Sequence, residues 1–175
     1  MTSASGGTFC GRPVAADRAL IMAIVNRTPD SFYDKGATFT DEAAKEAAHR
    51  VIAEGADVVD IGGVKAGPGV LVDDDEETRR VVPFIEWLRA AYPDQLISVD
   101  TWRASVARQA CAAGADIIND TWAGHDPALP EVAGTVGSLY AADVVFVSCA
   151  WELEVPRLVS ALAASRRARR LSRLT

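Results

Sequence analysis

The sequence predicts an α/β fold: the N-terminal portion of a (β/α)8 TIM barrel, with about four to five parallel βα units. Three observations point there. Short β-branched runs alternate with helical stretches whose apolar residues recur every three or four positions. A block led by Gly-Ala-Asp occurs twice, as Gly55–Ile61 and Gly114–Asp120, with a weaker echo at Ala142–Phe146. A carboxylate or carboxamide also closes each of four successive strands: Asn26, Asp60, Asp100, and the pair Asn119 and Asp120.

The elements follow in order. Residues 1–18 are a lead segment. Ile21–Val25 is the first strand, since consecutive apolar positions suit a strand covered on both faces. Asp41 and Glu42 open a helix carrying Ala44, Ala47, Ala48, Val51 and Ile52 on one stripe, and Gly55 stands where its end wants a left-handed residue. Val58–Ile61 is the second strand. A helix from Glu76 to Ala91 follows, striped by Val82, Ile85 and Leu88, and Pro83 inside it either kinks it or removes one backbone bond. Ile97–Val99 is the third strand, and a helix from Arg103 with Val106, Ala110 and Ala113 ends at Gly114. Ile117–Ile118 is the fourth strand and Val144–Val147 the fifth. This order suits a doubly wound sheet or a barrel, and both bind ligands at the C-terminal strand ends. Four consecutive polar strand ends favour the barrel, as does the lack of a Gly-x-Gly-x-x-Gly turn after the first strand.

Composition narrows the function. The 175 residues are 49% hydrophobic and 24% charged, which is globular rather than disordered. Five arginines crowd into residues 165–175, so the rest of the chain is more acidic than the net charge of −6. An acidic body argues against specific nucleic-acid binding. The longest apolar run, Ala19–Val25, is far below the roughly 18 residues of a membrane span, and the first residues carry no secretory signal, so a cytoplasmic protein is expected. Cys10, Cys111 and Cys149 have no metal-binding or disulfide spacing. Domain boundaries are expected at 19–155 for the partial barrel and 156–175 for a basic low-complexity tail.

Two loops would face the mouth: the polar run Asn26–Gly36 after the first strand, and the glycine-rich run Gly62–Gly69 after the second. At this point the sequence resembles dihydropteroate synthase, of the pterin-binding barrel family. The resemblance rests on Met22–Asn26 with Thr28–Phe32, on Gly55–Gly63 with Pro68-Gly69, on Ser98-Val99-Asp100-Thr101, and on Gly114–Asp120. It covers roughly residues 19–133.

The resemblance implies a transferase of folate biosynthesis that joins 6-hydroxymethyl-7,8-dihydropterin diphosphate to p-aminobenzoate, releasing diphosphate. It implies that Asn26 helps hold Mg²⁺ and the diphosphate, and that Thr28, Asp30, Ser31 and Phe32 shape the first loop. Asp100 and Asn119 would read the pterin edge, because a carboxylate accepts from ring N–H groups while an amide both donates and accepts. Asp60 and Asp120 would bind or support them.

This chain departs from the family at the second loop. Ala66 and Gly67 stand where a threonine and an arginine would grip the diphosphate, and Lys65 offers a point charge one register away. That puts turnover in question and opens two alternatives: a non-catalytic relative that binds a pterin or a partner polypeptide, and a methyltetrahydrofolate-dependent methyltransferase, which needs no diphosphate loop. The chain is also shorter than the roughly 200–250 residues of a full barrel. The resemblance fades after about Ala133 and residues 156–175 are a low-complexity end, so the last 40 or so residues read as a shifted frame or an early stop. Uncovered strand edges predict marginal stability or a homo-oligomer.

Overall fold

Five parallel strands in sequential order form the sheet of the computed structural model, which describes residues 7–14, 18–28, 40–64, 71–121, 125–136 and 139–142. The elements are β1 Gly7–Phe9, β2 Arg12–Val14, β3 Met22–Asn26, α1 Asp41–Ala53, β4 Val58–Gly62, α2 Asp74–Ala91, β5 Leu96–Asp100, α3 Ala104–Ala112, β6 Ile117–Asp120, α4 Leu129–Val136 and β7 Leu139–Ala142. The sheet runs β3-β4-β5-β6-β7, each strand beside its predecessor. A doubly wound sheet reverses its order at a switch point. This one does not, so the barrel-type order holds.

Successive side chains of a strand point to opposite faces, and that alternation sorts the core in two. Val25, Val59, Ile61, Ile97, Val99 and Ile118 form one face and pack against all four helices. From α2 alone Val81, Phe84, Ile85 and Leu88 are buried there, each contributing about 1.5–3 kcal/mol by loss of apolar surface to water. The other face carries Val58, Leu96 and Ile117, covered by Cys10, Val14, Leu20 and Met22. With every helix on one side, the second face is the inner wall of a barrel segment.

The helix ends obey local rules. Thr40 caps α1 by accepting from Ala43 N at 3.3 Å, and Asp73 caps α2 by accepting from Glu76 N at 2.8 Å. Arg103 offers α3 no side-chain cap; instead Asp126, from the segment after β6, accepts from Ala104 N at 2.9 Å. Gly55 and Gly114 have φ of 97° and 116°, the left-handed geometry expected at both helix exits. Arg89 of α2 donates to Gly114 O and pairs with Asp116 Oδ2 at 2.6 Å, locking the repeat's second turn to the start of β6.

Three features differ from the sequence pattern. Part of the lead segment folds into the β1–β2 hairpin, turned at Cys10 and Gly11, and Arg12 joins it to Asp116 at 3.0 Å. The fifth strand is Leu139–Ala142, ahead of the expected run, and Val144–Val147 lie outside the described residues. Helix α4 was not expected, because Gly134 and Pro130 interrupt its helical signature. Among the described residues, no helix is long and apolar enough to cross a membrane.

Candidate functional site

Strand register creates the site. Asn26 pairs with Gly62, Gly62 with Asp100, and Asp100 with Asn119, so four consecutive strand ends form one row. Two residues earlier, Ile24, Asp60, Ser98 and Ile117 form a second row. Alternation turns both rows to the inner wall, because the residues between them face the helices. Asp120 is one residue beyond Asn119 and so points to the other side of the sheet, where it is fully buried. Asn26, Asp60, Asp100 and Asn119 are therefore gathered on one wall, whereas Asp120, expected among the ligand-binding groups, is turned away from it by the strand's alternation and adds a like charge near Asp100. Thr28 follows β3, buried, with no hydrogen-bond partner for its Oγ1 among the described residues. Asp30, Ser31, Phe32 and Lys65 lie outside the described residues, as do Ala66 and Gly67.

Asn119 donates through Nδ2 to Asp60 Oδ2 at 3.3 Å. Asp60 Oδ1, Ser98 Oγ and Asn119 Oδ1 are buried and have no hydrogen-bond partner among the described residues. Buried polar groups are nearly always satisfied, and leaving one unmade costs about 1–3 kcal/mol. Three on one wall of one sheet form a donor and acceptor array suited to a polar heterocycle edge.

The carboxyls feel this burial. Asp60 is pushed up to about 6 because it is cut off from water, with Ser98 and Asn119 offsetting part of the rise. Asp100 is pushed up to about 7, first by burial and then by the neighbouring Asp60, with Glu77 and Asp120 adding to it and Thr121 opposing it. Glu77 is raised as well, mainly by burial. The acidic run 73–77 thus splits: Asp73 is a solvated cap, whereas Glu77 is fully buried, pairing through Oε2 with Arg103, whose guanidinium lies 4.2 Å from the Trp102 ring centroid.

Sequence reasoning missed the roles of Gly62, Ser98 and Thr121. A Cβ on Gly62 would stand 3.0 Å from Asn26 Oδ1 and 3.9 Å from Asp100 Oδ2, so the glycine keeps open the space between those two groups. Ser98 was legible only through its alternation with Asp100. Mg²⁺ prefers oxygen donors and is commonly held by one or two protein ligands plus substrate phosphates. An amide oxygen such as Asn26 Oδ1 is a donor of that type, and no cluster of three or more His, Cys, Asp or Glu among the described residues would hold a metal alone.

A parallel sheet of barrel order, with polar strand ends turned inward, defines a ligand-binding α/β barrel-type protein. The chain belongs to the pterin binding enzyme family, whose profile matches residues 22–151. It is 76% identical over 131 residues to a protein of Mycobacterium tuberculosis named inactive dihydropteroate synthase 2; the match takes in 75% of this chain and 41% of that one. A Yersinia pestis dihydropteroate synthase, solved as a sulfonamide drug complex, superposes with a TM-score of 0.72 at 36% identity, covering 78% of this chain and 49% of that one. A Coxiella burnetii dihydropteroate synthase in complex with pteroic acid gives a TM-score of 0.65 at 32% identity, covering 74% and 46%. The chain spans about half or less of the length of these relatives.

Proposed function

We propose that the inner wall binds a pterin ring and that the chain is a dihydropteroate synthase-type protein of folate biosynthesis. The observation that carries this is the set of buried atoms without a hydrogen-bond partner among the described residues, Asp60 Oδ1, Ser98 Oγ and Asn119 Oδ1, on the wall that also presents Asp100. Carboxylate oxygens accept from ring N–H and amino groups, and the Asn119 carboxamide can read a neighbouring ring atom. Asn26, at the open side of Gly62, holds the diphosphate end together with Mg²⁺. When bound, the ion neutralises charge on the leaving diphosphate.

The reaction of this ligand set forms a C–N bond between the pterin methylene and the amine of p-aminobenzoate. The methylene C–O bond breaks, diphosphate departs with the bonding pair, and the amine gives up a proton. The chain's own residues hold the ring in place and exclude water from its edge, so the methylene stays aligned for attack.

A second reading, a pterin binder without turnover, has its own support. Ala66 and Gly67 replace the loop's diphosphate-gripping side chains, and the relative at 76% identity is named inactive. Losing a charge-assisted contact costs about 1.5–3 kcal/mol, or roughly ten- to a hundredfold in rate. One experiment separates the two: calorimetric titration of the full chain with the pterin diphosphate and Mg²⁺, followed by a diphosphate-release assay with p-aminobenzoate. Binding with release supports the synthase, and binding without release supports the second reading. No binding by the folded protein overturns both.

A further inference from the structure

The residue after Asp120 contacts the ring-reading carboxylate directly. Thr121 leaves the end of β6 and donates through Oγ1 to Asp100 Oδ1 at 3.1 Å. Asp100 ends β5, the strand beside β6, and its other oxygen, Oδ2, lies on the Gly62 side, 3.9 Å from where a Cβ there would stand. The two oxygens thus have different neighbours: Oδ1 meets a hydroxyl, and Oδ2 lies beside the Cβ-less Gly62. Among the described residues, the ionisable groups that act on this carboxyl do not share the task. Asp60 on β4, Glu77 on α2 and Asp120 on β6 are all acids, and each repels negative charge on Asp100. Among these neighbours Thr121 alone favours the ionised form.

We infer that Thr121 is a positioning residue for the pterin site: by occupying Asp100 Oδ1 it sets the plane of the carboxylate and leaves Oδ2 to accept from the ligand. This deepens the pterin-binding reading and rests on it for the ligand, but the bond itself belongs to the ligand-free protein. A carboxyl without such a tether rotates about its last torsion, which is broad and roughly two-fold, and spends less time in the accepting orientation. A hydroxyl donor also favours charge on a carboxyl surrounded by acids. Thr121 is exposed, so its side chain does little for the core, and removing its hydroxyl leaves packing intact.

The test compares Thr121→Val, which keeps the shape and removes the hydroxyl, with Thr121→Ser, which keeps the hydroxyl. Each is made in the full chain and also combined with Asp100→Asn. The probe is 6-hydroxymethylpterin, which lacks the diphosphate and so requires no cation. Titration is expected to show about tenfold weaker binding for Thr121→Val, the worth of one hydrogen bond, and near wild-type binding for Thr121→Ser. Adding Thr121→Val to Asp100→Asn should cause little further loss, since the two act as a unit. In the ligand-free protein, the Asp100 carboxyl carbon followed by NMR should titrate at higher pH in Thr121→Val than in wild type, and Thr121→Ser should restore it. Unchanged Asp100 titration in Thr121→Val overturns the proposal whatever the ligand result. A shifted titration with no pterin binding in wild type keeps the Thr121–Asp100 bond and refutes the pterin-binding reading instead.

Discussion

Replacing Asp60 with asparagine should make the protein more stable near pH 8 while impairing the site. Asp60 is fully buried, and its carboxyl titrates at about 6 against an ordinary value of 3.8. Because the folded state holds its proton more tightly than the unfolded state, stability falls as pH rises from about 4 to about 6 and stays lowered above that. The shift of about two units corresponds to roughly 3 kcal/mol at pH 8. Asp60→Asn removes the charge. Its amide oxygen can still accept from Asn119 Nδ2, and its new N–H group can donate to the neighbouring Ser98 Oγ. A gain of about 3 kcal/mol corresponds to a melting temperature higher by roughly 6–12 °C for a domain of this size. Thermal melts of wild type and variant between pH 4 and pH 8 measure it. The variant's advantage should be largest at pH 8 and vanish near pH 4. An advantage that does not change with pH, or a variant less stable at pH 8, would refute the assignment of Asp60 as a buried charge retained for ligand binding.

Two further substitutions probe the sheet and its supports. Gly62→Ala places a methyl 3.0 Å from Asn26 Oδ1, so pterin diphosphate affinity should fall about tenfold with little change in melting temperature, because only the mobile end of Asn26 must give way. Arg89→Ala should cost on the order of 1–3 kcal/mol in urea unfolding, since it removes one of the two arginines paired with the largely buried Asp116, which keeps Arg12 and the Ile97 N–H, and takes away the donor to Gly114 O.

How much of this could be read from the sequence depends on the kind of signal. The four main strands and three helices follow hydrophobic periods long enough to survive tertiary packing, and the observed ends differ from the expected ones by a few residues. The gathering of Asn26, Asp60, Asp100 and Asn119 on one wall was legible because strand ends in such folds converge on one mouth. What was hidden lies below pattern length or depends on three-dimensional neighbours. The hairpin strands of three residues each carry no period, and Arg12 finds Asp116 only after folding. Glu77 reads as another acid in a charged helix start, yet Arg103 from the following strand–helix connection makes its burial tolerable. Thr121 gave no signal, since its meaning depends on β5 and β6 lying side by side. Gly62 was visible as part of a glycine pair, but the close approach of Asn26 that demands it was not.

Calorimetric titration of the pterin diphosphate with Mg²⁺ into the wild type and Asp100→Asn tests the central claim most directly. Asp100→Asn keeps the shape and replaces one accepting oxygen with a donor, so the account predicts at least about tenfold weaker binding with an unchanged fold. Equal affinity in the two proteins would contradict it, because the ring would then be held without the carboxylate that the strand register brings to the rim.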